Sequence, residues 1–142
     1  MNALTQLESH EALTLPSTLS TVEVIEAKTE EFAKNAGFDE DTVGQIAMIS
    51  REAAANAVLH GNRKDPNKHV RAHFSLTREN LSISVADEGT GFDPAAVPDP
   101  LSPEGLLKPS GRGIFLMRAI MDEVHFRELS PGTEITLVKH RN

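Results

Sequence analysis

"VRAHFSLTRENLSISVADEGTGF", residues 70–92, alternates apolar and polar side chains twice and then breaks into a glycine loop. Val70, Ala72, Phe74 and Leu76 fall on one side of an extended chain, with Arg71, His73 and Ser75 on the other. After "REN" the pattern resumes with Leu81, Ile83 and Val85, so two strands joined as a hairpin are expected. A clean period of two means one covered face and one wetter face, which suits an antiparallel sheet with helices on one side. "VHFREL" (124–129) and "TEITLVK" (133–139) alternate in the same way around a turn at Ser130, Pro131 and Gly132.

The covering helices lie upstream. "STLSTVEVIEAKTEEFAKNAGF" (17–38) sets Leu19, Val22, Ile25, Phe32 and Ala33 at helical spacing and meets a stop at Gly37. A second helix is predicted from about Asp39 to His60, with acidic residues at its start and Gly61 at its end. Val43, Ile46, Ile49, Ala53 and Ala57 form its apolar arc, and His60 with Gly61 reads as its C-cap. A short apolar helix, "IFLMRAIMDEV", follows residue 113. Residues 1 to about 11 read as a loose lead-in, with a short strand at "ALTLP". The expectation is a single domain over 1–142: α+β, a two-layer α/β sandwich whose mostly antiparallel sheet is covered by helices on one face.

Composition narrows the function classes. The chain has 142 residues, 39% apolar and 25% charged, and no run near the ~18 apolar residues that a membrane span needs. A net charge of −7 without a basic patch disfavours direct nucleic-acid binding. There is no cysteine and no signal-peptide pattern, which makes the cytoplasm the expected location. The six histidines show no metal-ligand spacing.

Three stretches carry chemistry. In "REAAANAVLHGN" (51–62), Glu52 and Asn56 stand one turn apart on the same helical face. In "VADEGTGFDP" (85–94), Asp87 leaves a strand and is followed by Gly89, Gly91 and Phe92, where absent Cβ atoms let backbone approach a ligand. In "PSGRGIFLM" (109–117), Gly111 and Gly113 are expected to precede a helix whose free N–H groups suit phosphate. Position 116 is Leu, so the dinucleotide-binding fingerprint is incomplete, and no Gly-x-x-x-x-Gly-Lys loop occurs. Between the glycine stretches lies a proline-rich segment, about 93–110, of the kind that acts as a lid.

In this order the three stretches resemble the asparagine box and two glycine boxes of the GHKL ATPase/kinase superfamily, whose Bergerat fold binds ATP. Within it the chain is most similar to bacterial anti-sigma-factor serine/threonine kinases, on "EAAANAVLHG", "DEGTGF" and "SGRGIFLM". The resemblance covers about residues 12 to 140. It implies that Asn56 coordinates Mg²⁺, with the triphosphate completing the shell. Glu52 would accept or orient the proton of the attacking hydroxyl. Asp87 would accept from the adenine amino group, flanked by Gly89, Gly91 and Phe92. Ser110, Gly111, Arg112 and Gly113 would hold the phosphates, with Lys108 adding charge from the lid.

The implied function is an ATP-binding anti-sigma factor and serine/threonine protein kinase that phosphorylates an anti-sigma-factor antagonist and sequesters a sigma factor, as a homodimer. The alternative is a nucleotide-dependent module that binds a sigma factor without kinase activity. A sensor histidine kinase would need a phospho-acceptor helix pair, and only some 18 residues precede the first helix in this sequence. That helix carries Glu23, Glu26, Glu30 and Glu31, with Lys28 and Lys34 as its cations, where the kinase group commonly has an arginine that meets the protein partner.

Overall fold

The structure, a computed structural model, describes residues 7–89 and 109–141. Their elements run β1 (Leu7–Pro16), α1 (Leu19–Asn35), α2 (Glu40–Asn56), a π-turn (Ala57–Gly61), β2 (His69–Thr77), β3 (Asn80–Ala86), α3 (Pro109–Ile120), β4 (Glu123–Glu128) and β5 (Thr133–His140). The five strands form one sheet in the order β1-β2-β3-β5-β4, with every neighbouring pair antiparallel.

The alternation read from 70–85 decides which face is covered. Val70, Ala72, Phe74 and Leu76 of β2 are buried, as are Leu81, Ile83 and Val85 of β3 and Ile135 and Leu137 of β5. Register turns these into rows: Phe74 lies opposite Ile83, and Ile83 opposite Leu137. The helices close over these rows. Phe32 of α1 stacks on Phe74 with ring centroids 5.5 Å apart, and Val43, Ile46, Ile49 and Ala53 of α2 are all buried. The two-layer α+β sandwich expected from the alternation is the fold observed.

Local chemistry sets the helix ends. Asp39 caps α2 by accepting from the Thr42 N–H at 2.8 Å. Gly37, at φ +91, takes the left-handed position that ends α1.

Four expectations need correction. β1 begins at Leu7, inside the expected loose lead-in. It is an edge strand whose inward positions include half-buried Leu13 and Leu15, but also Glu11, which pairs with Lys28 of α1 at 3.2 Å. An ion pair filling an apolar slot hides the alternation. Leu19, the first residue of α1, is exposed rather than part of the apolar arc. The α-helical geometry of α2 stops at Asn56, and residues 57–61 continue as a π-turn. Finally, α3 starts at Pro109, so Gly111 and Gly113 lie inside it rather than before it. Proline is well tolerated in a first turn because its missing N–H would have no partner there. The helix also overlaps the last two residues of the expected lid.

At the edge away from the boxes, Arg141 ties the chain together. Its Nη1 donates to Glu8 and to the Thr77 carbonyl, each at 2.7 Å, and its Nε donates to the Ala36 carbonyl at 3.1 Å.

Candidate functional site

Asn56 on α2 and Asp87 at the exit of β3 meet at one cleft, whereas Glu52, one turn before Asn56, lies outside its lining. It encloses about 170 Å³ and has Asn56, Gly61, Asp87 and Thr133 as polar lining, with walls that include Met117 and Phe126.

The π-turn makes this meeting possible. The N–H of Asn62 reaches back five residues to the Ala57 carbonyl at 2.8 Å, and the N–H of Lys64 reaches the Val58 carbonyl at 2.7 Å. Arg63 and Lys64 follow at φ +52 and +59, left-handed geometry that costs a side-chain-bearing residue about 1–2 kcal/mol. The widened turn drives Gly61 onto the Asp87 side chain. A Cβ on Gly61 would collide with Asp87 Oδ2, so a glycine is needed there. Gly61 thus serves close approach to Asp87 rather than the helix C-cap that the sequence suggests.

Asp87 is 8% exposed at the end of β3. Its Oδ1 accepts from the N–H groups of Gly89 at 2.9 Å and Thr133 at 3.3 Å. Burial pushes its carboxyl above the usual range, and the Gly89 and Thr133 hydrogen bonds and the Lys68 charge pull partly back. Backbone packs round it on two more sides. A Cβ on Gly132 would strike the Asp87 carbonyl oxygen, and one on Gly89 would strike the Gly61 carbonyl oxygen. With Oδ1 engaged twice, Oδ2 is the acceptor left for a ligand.

Thr133 was not singled out from sequence. It is buried in the cleft, and its Oγ1 has no hydrogen-bond partner. A buried hydroxyl left unmet costs about 1–3 kcal/mol, so the site is built for a polar ligand atom or a bridging water. A threonine at a strand start carries no motif; only the register that sets Asp87 N–H on the Thr133 carbonyl at 3.0 Å reveals it.

Glu52 and Asn56 share a face of α2 and are half-buried, Asn56 lining the cleft and Glu52 lying beside it. What covers Glu52 is α3: a Cβ on Gly113 would stand 2.5 Å from Glu52 Oε1. Burial pushes the Glu52 carboxyl up, and the charge of nearby His60, a cleft-lining residue, pulls partly back. The first turn of α3 leaves backbone N–H groups at Ser110 and Gly111 without intrahelical partners and presents the positive helix end beside Glu52. Gly91, Phe92, Lys108 and the expected lid up to residue 108 lie outside the described residues, as do the side chains of Ser110 and Arg112.

Among the described residues no three His, Asp or Glu side chains gather as a metal site. The donor set nonetheless suits Mg²⁺ brought in with a triphosphate. That cation prefers hard oxygens, keeps its waters, and takes one or two protein ligands when phosphates supply others. Asn56 offers one such oxygen.

Comparisons with known proteins agree with this geometry. The histidine kinase-like ATPase domain matches residues 15–139. The chain is 31% identical over 137 residues to the serine-protein kinase RsbW of Bacillus licheniformis, covering 89% of this chain and 83% of that protein. It is 29% identical over 140 residues to the protein of that name from Bacillus subtilis, covering 90% and 83%. It is 35% identical over 105 residues to the anti-sigma F factor of Geobacillus kaustophilus, covering 70% of each chain. The crystal structure of the RsbU and RsbW domains of Rv1364c from Mycobacterium tuberculosis superposes with a TM-score of 0.66 at 21% identity, over 92% of this chain and 32% of that one. The family resemblance carried by the three boxes therefore holds: the chain belongs to the histidine kinase-like ATPase domain family.

Proposed function

We propose that the chain is an ATP-dependent anti-sigma serine/threonine protein kinase working from this cleft. It phosphorylates an anti-sigma-factor antagonist protein and, as a homodimer, sequesters a sigma factor. The observation that carries the reading is Glu52 held under Gly113 of α3, one helical turn from Asn56 and beside the positive end of α3. The names of the relatives, serine-protein kinase and anti-sigma factor, support the same activity.

In this reading the base enters between the apolar walls and gives its amino hydrogen to Asp87 Oδ2. The triphosphate then runs towards α3, whose free N–H groups at Ser110 and Gly111 meet its oxygens. Mg²⁺, held by Asn56 and the phosphates, would neutralise charge on the leaving group. Glu52 takes the proton of the serine or threonine hydroxyl as that oxygen bonds to the γ-phosphorus. The bond from the γ-phosphorus to the bridging oxygen breaks, and ADP keeps its electron pair. A half-buried carboxylate suits this work, because the pKa raised by burial makes it a stronger base than an exposed glutamate. No helix described is long and apolar enough to cross a membrane. A cytoplasmic location remains part of the proposal, since a sigma factor and ATP are met there.

The test pairs ³²P transfer from ATP to the native antagonist with nucleotide binding. Glu52→Ala is expected to keep ATP affinity while losing about 10²–10⁴ in rate. Asn56→Ala should lose Mg²⁺-nucleotide affinity as well. A wild-type chain that binds ATP and the sigma factor yet phosphorylates no protein would replace this reading with that of a sequestering module. Sedimentation showing a monomer at micromolar concentration would remove the homodimer.

A further inference from the structure

Asn62 ends the first of the three stretches with no role assigned to it, yet it is a polar side chain only 1% exposed. Burying an amide is unfavourable unless its donor and acceptor are both met. Here two separate chain segments meet them. Asn62 Nδ2 donates to the carbonyl of His69, the first residue of β2, at 3.0 Å. Asn62 Oδ1 accepts from the N–H of Glu88 at 2.8 Å. Glu88 directly follows Asp87, and its own carboxylate accepts from the His69 N–H. The end of the π-turn, the start of β2 and the exit of β3 are thereby closed into one ring of hydrogen bonds, with Asp87 pressed between it and Gly61.

We propose that Asn62 is a positioning residue for base recognition: by holding the Glu88 N–H to the end of the π-turn, it fixes the Asp87 carboxylate against Gly61 and Thr133. This rests on the reading of Asp87 as the adenine acceptor. Asn62 acts through Asp87 and not on the ligand, since it does not line the cleft. The chemistry asks for an amide at this place. An aspartate would set a second acceptor against the His69 carbonyl, and a serine offers no group long enough to serve both segments. Without the Asn62 oxygen, the Glu88 N–H is left buried and unmet. The loop can satisfy it by swinging outwards to water, and Asp87 goes with it. The same stretch of chain carries Asn56 one π-turn earlier, so Asn62 also keeps the base end of the cleft in register with the metal-ligand end.

The experiment measures ATP and GTP affinities by calorimetry for Asn62→Ala, Asp87→Asn and the double variant. Asn62→Ala is expected to weaken ATP roughly ten-fold, the effect of a misplaced acceptor rather than of a lost fold. GTP carries a carbonyl where adenine carries an amino group, so its affinity should stay near the wild-type value and the preference for ATP should narrow. In the double variant Asn62→Ala should add little to Asp87→Asn, because both remove one interaction. Equal weakening of ATP and GTP, or additive losses in the double variant, would overturn the proposal in favour of a general structural role. If Asn62→Ala does not fold, Asn62→Ser serves in its place, with the same outcomes on either side. The two readings fail separately. Asp87→Asn binding ATP like wild type removes the adenine assignment, whereas a weakened Asp87→Asn beside an unaffected Asn62→Ala removes only the role of Asn62.

Discussion

Asp87, in the cleft, has its backbone and its carboxylate both hemmed in by other backbone; Glu52, beside the cleft, meets the backbone of α3 only through its side chain. Asp87 is enclosed by the carbonyl and amide groups of residues 61, 89, 132 and 133, brought in by three glycines whose missing Cβ atoms leave no slack. Glu52 is covered by one glycine of one helix, and the atoms facing that glycine belong to a side chain that can rotate. The first arrangement fixes an acceptor in place, as reading a base requires. The second leaves a half-buried carboxylate on a rotatable side chain, which suits the proton-accepting role proposed for it.

Alanine at a glycine beside each carboxylate should break or sharpen this contrast. The largest effect is expected from Gly132→Ala. Its Cβ would meet the Asp87 carbonyl oxygen, and φ +110 is strained for any side-chain-bearing residue. A loss of about 2–4 kcal/mol in chemical denaturation is expected, together with loss of ATP binding. Gly113→Ala should act in the opposite way. Alanine in a helix interior is favoured over glycine by about 1 kcal/mol, and the obstructed atoms are the far end of Glu52. Stability should hold or rise while kcat falls about 10²-fold, the scale of a misplaced catalytic group. Should both variants lose stability and ATP affinity alike, the two surroundings are not built differently.

A pH profile probes Glu52 further. Glu52 must be ionised to accept a proton, and burial raises its pKa above the ordinary glutamate value of about 4.3. The acid limb of kcat should therefore lie at higher pH than an unperturbed glutamate would give. Glu52→Ala should remove the limb from the residual activity.

The smallest effect concerns stability. A carboxyl whose folded pKa is raised binds its proton more tightly folded than unfolded. Its charge thus opposes folding above the folded pKa, and the penalty vanishes below the unfolded one. Glu52→Gln should raise the melting temperature slightly at neutral pH, and the difference should close as pH falls below about 4. A melting temperature lowered at pH 7 would show that the carboxylate is a stabilising group.

Much of this was legible in the sequence because period-two alternation in 70–85 and 133–139 is unbroken, and because the covering helices keep their apolar arcs. What was not legible has three physical sources. Glu11 fills an inward slot of β1 through an ion pair, so pattern alone starts the strand too late. The π-turn at residues 57–61 has no composition signal of its own, since Ala, Val, Leu and His continue a helix as readily as they widen it. Thr133 and Asn62 owe their roles to partners more than 15 residues away or on another strand, a fact of register and not of local spacing. Glu52, Asn56, Asp87 and Gly113 could be singled out from sequence because each sits in a short local pattern, while the contacts Glu52–Gly113 and Asp87–Gly61 join segments far apart in the chain.

The position of β5 has a consequence for how the chain reaches this state. β5 follows β1 to β4 in sequence, yet it lies inside the sheet, between β3 and β4. While the polypeptide emerges from the ribosome, β3 keeps an unpaired edge, and Leu81, Ile83 and Val85 keep an open flank, until Thr133–His140 arrive. Folding of the sheet is thus a late, long-range event, the kind that slows with contact order and leaves an intermediate open to aggregation or to a chaperone.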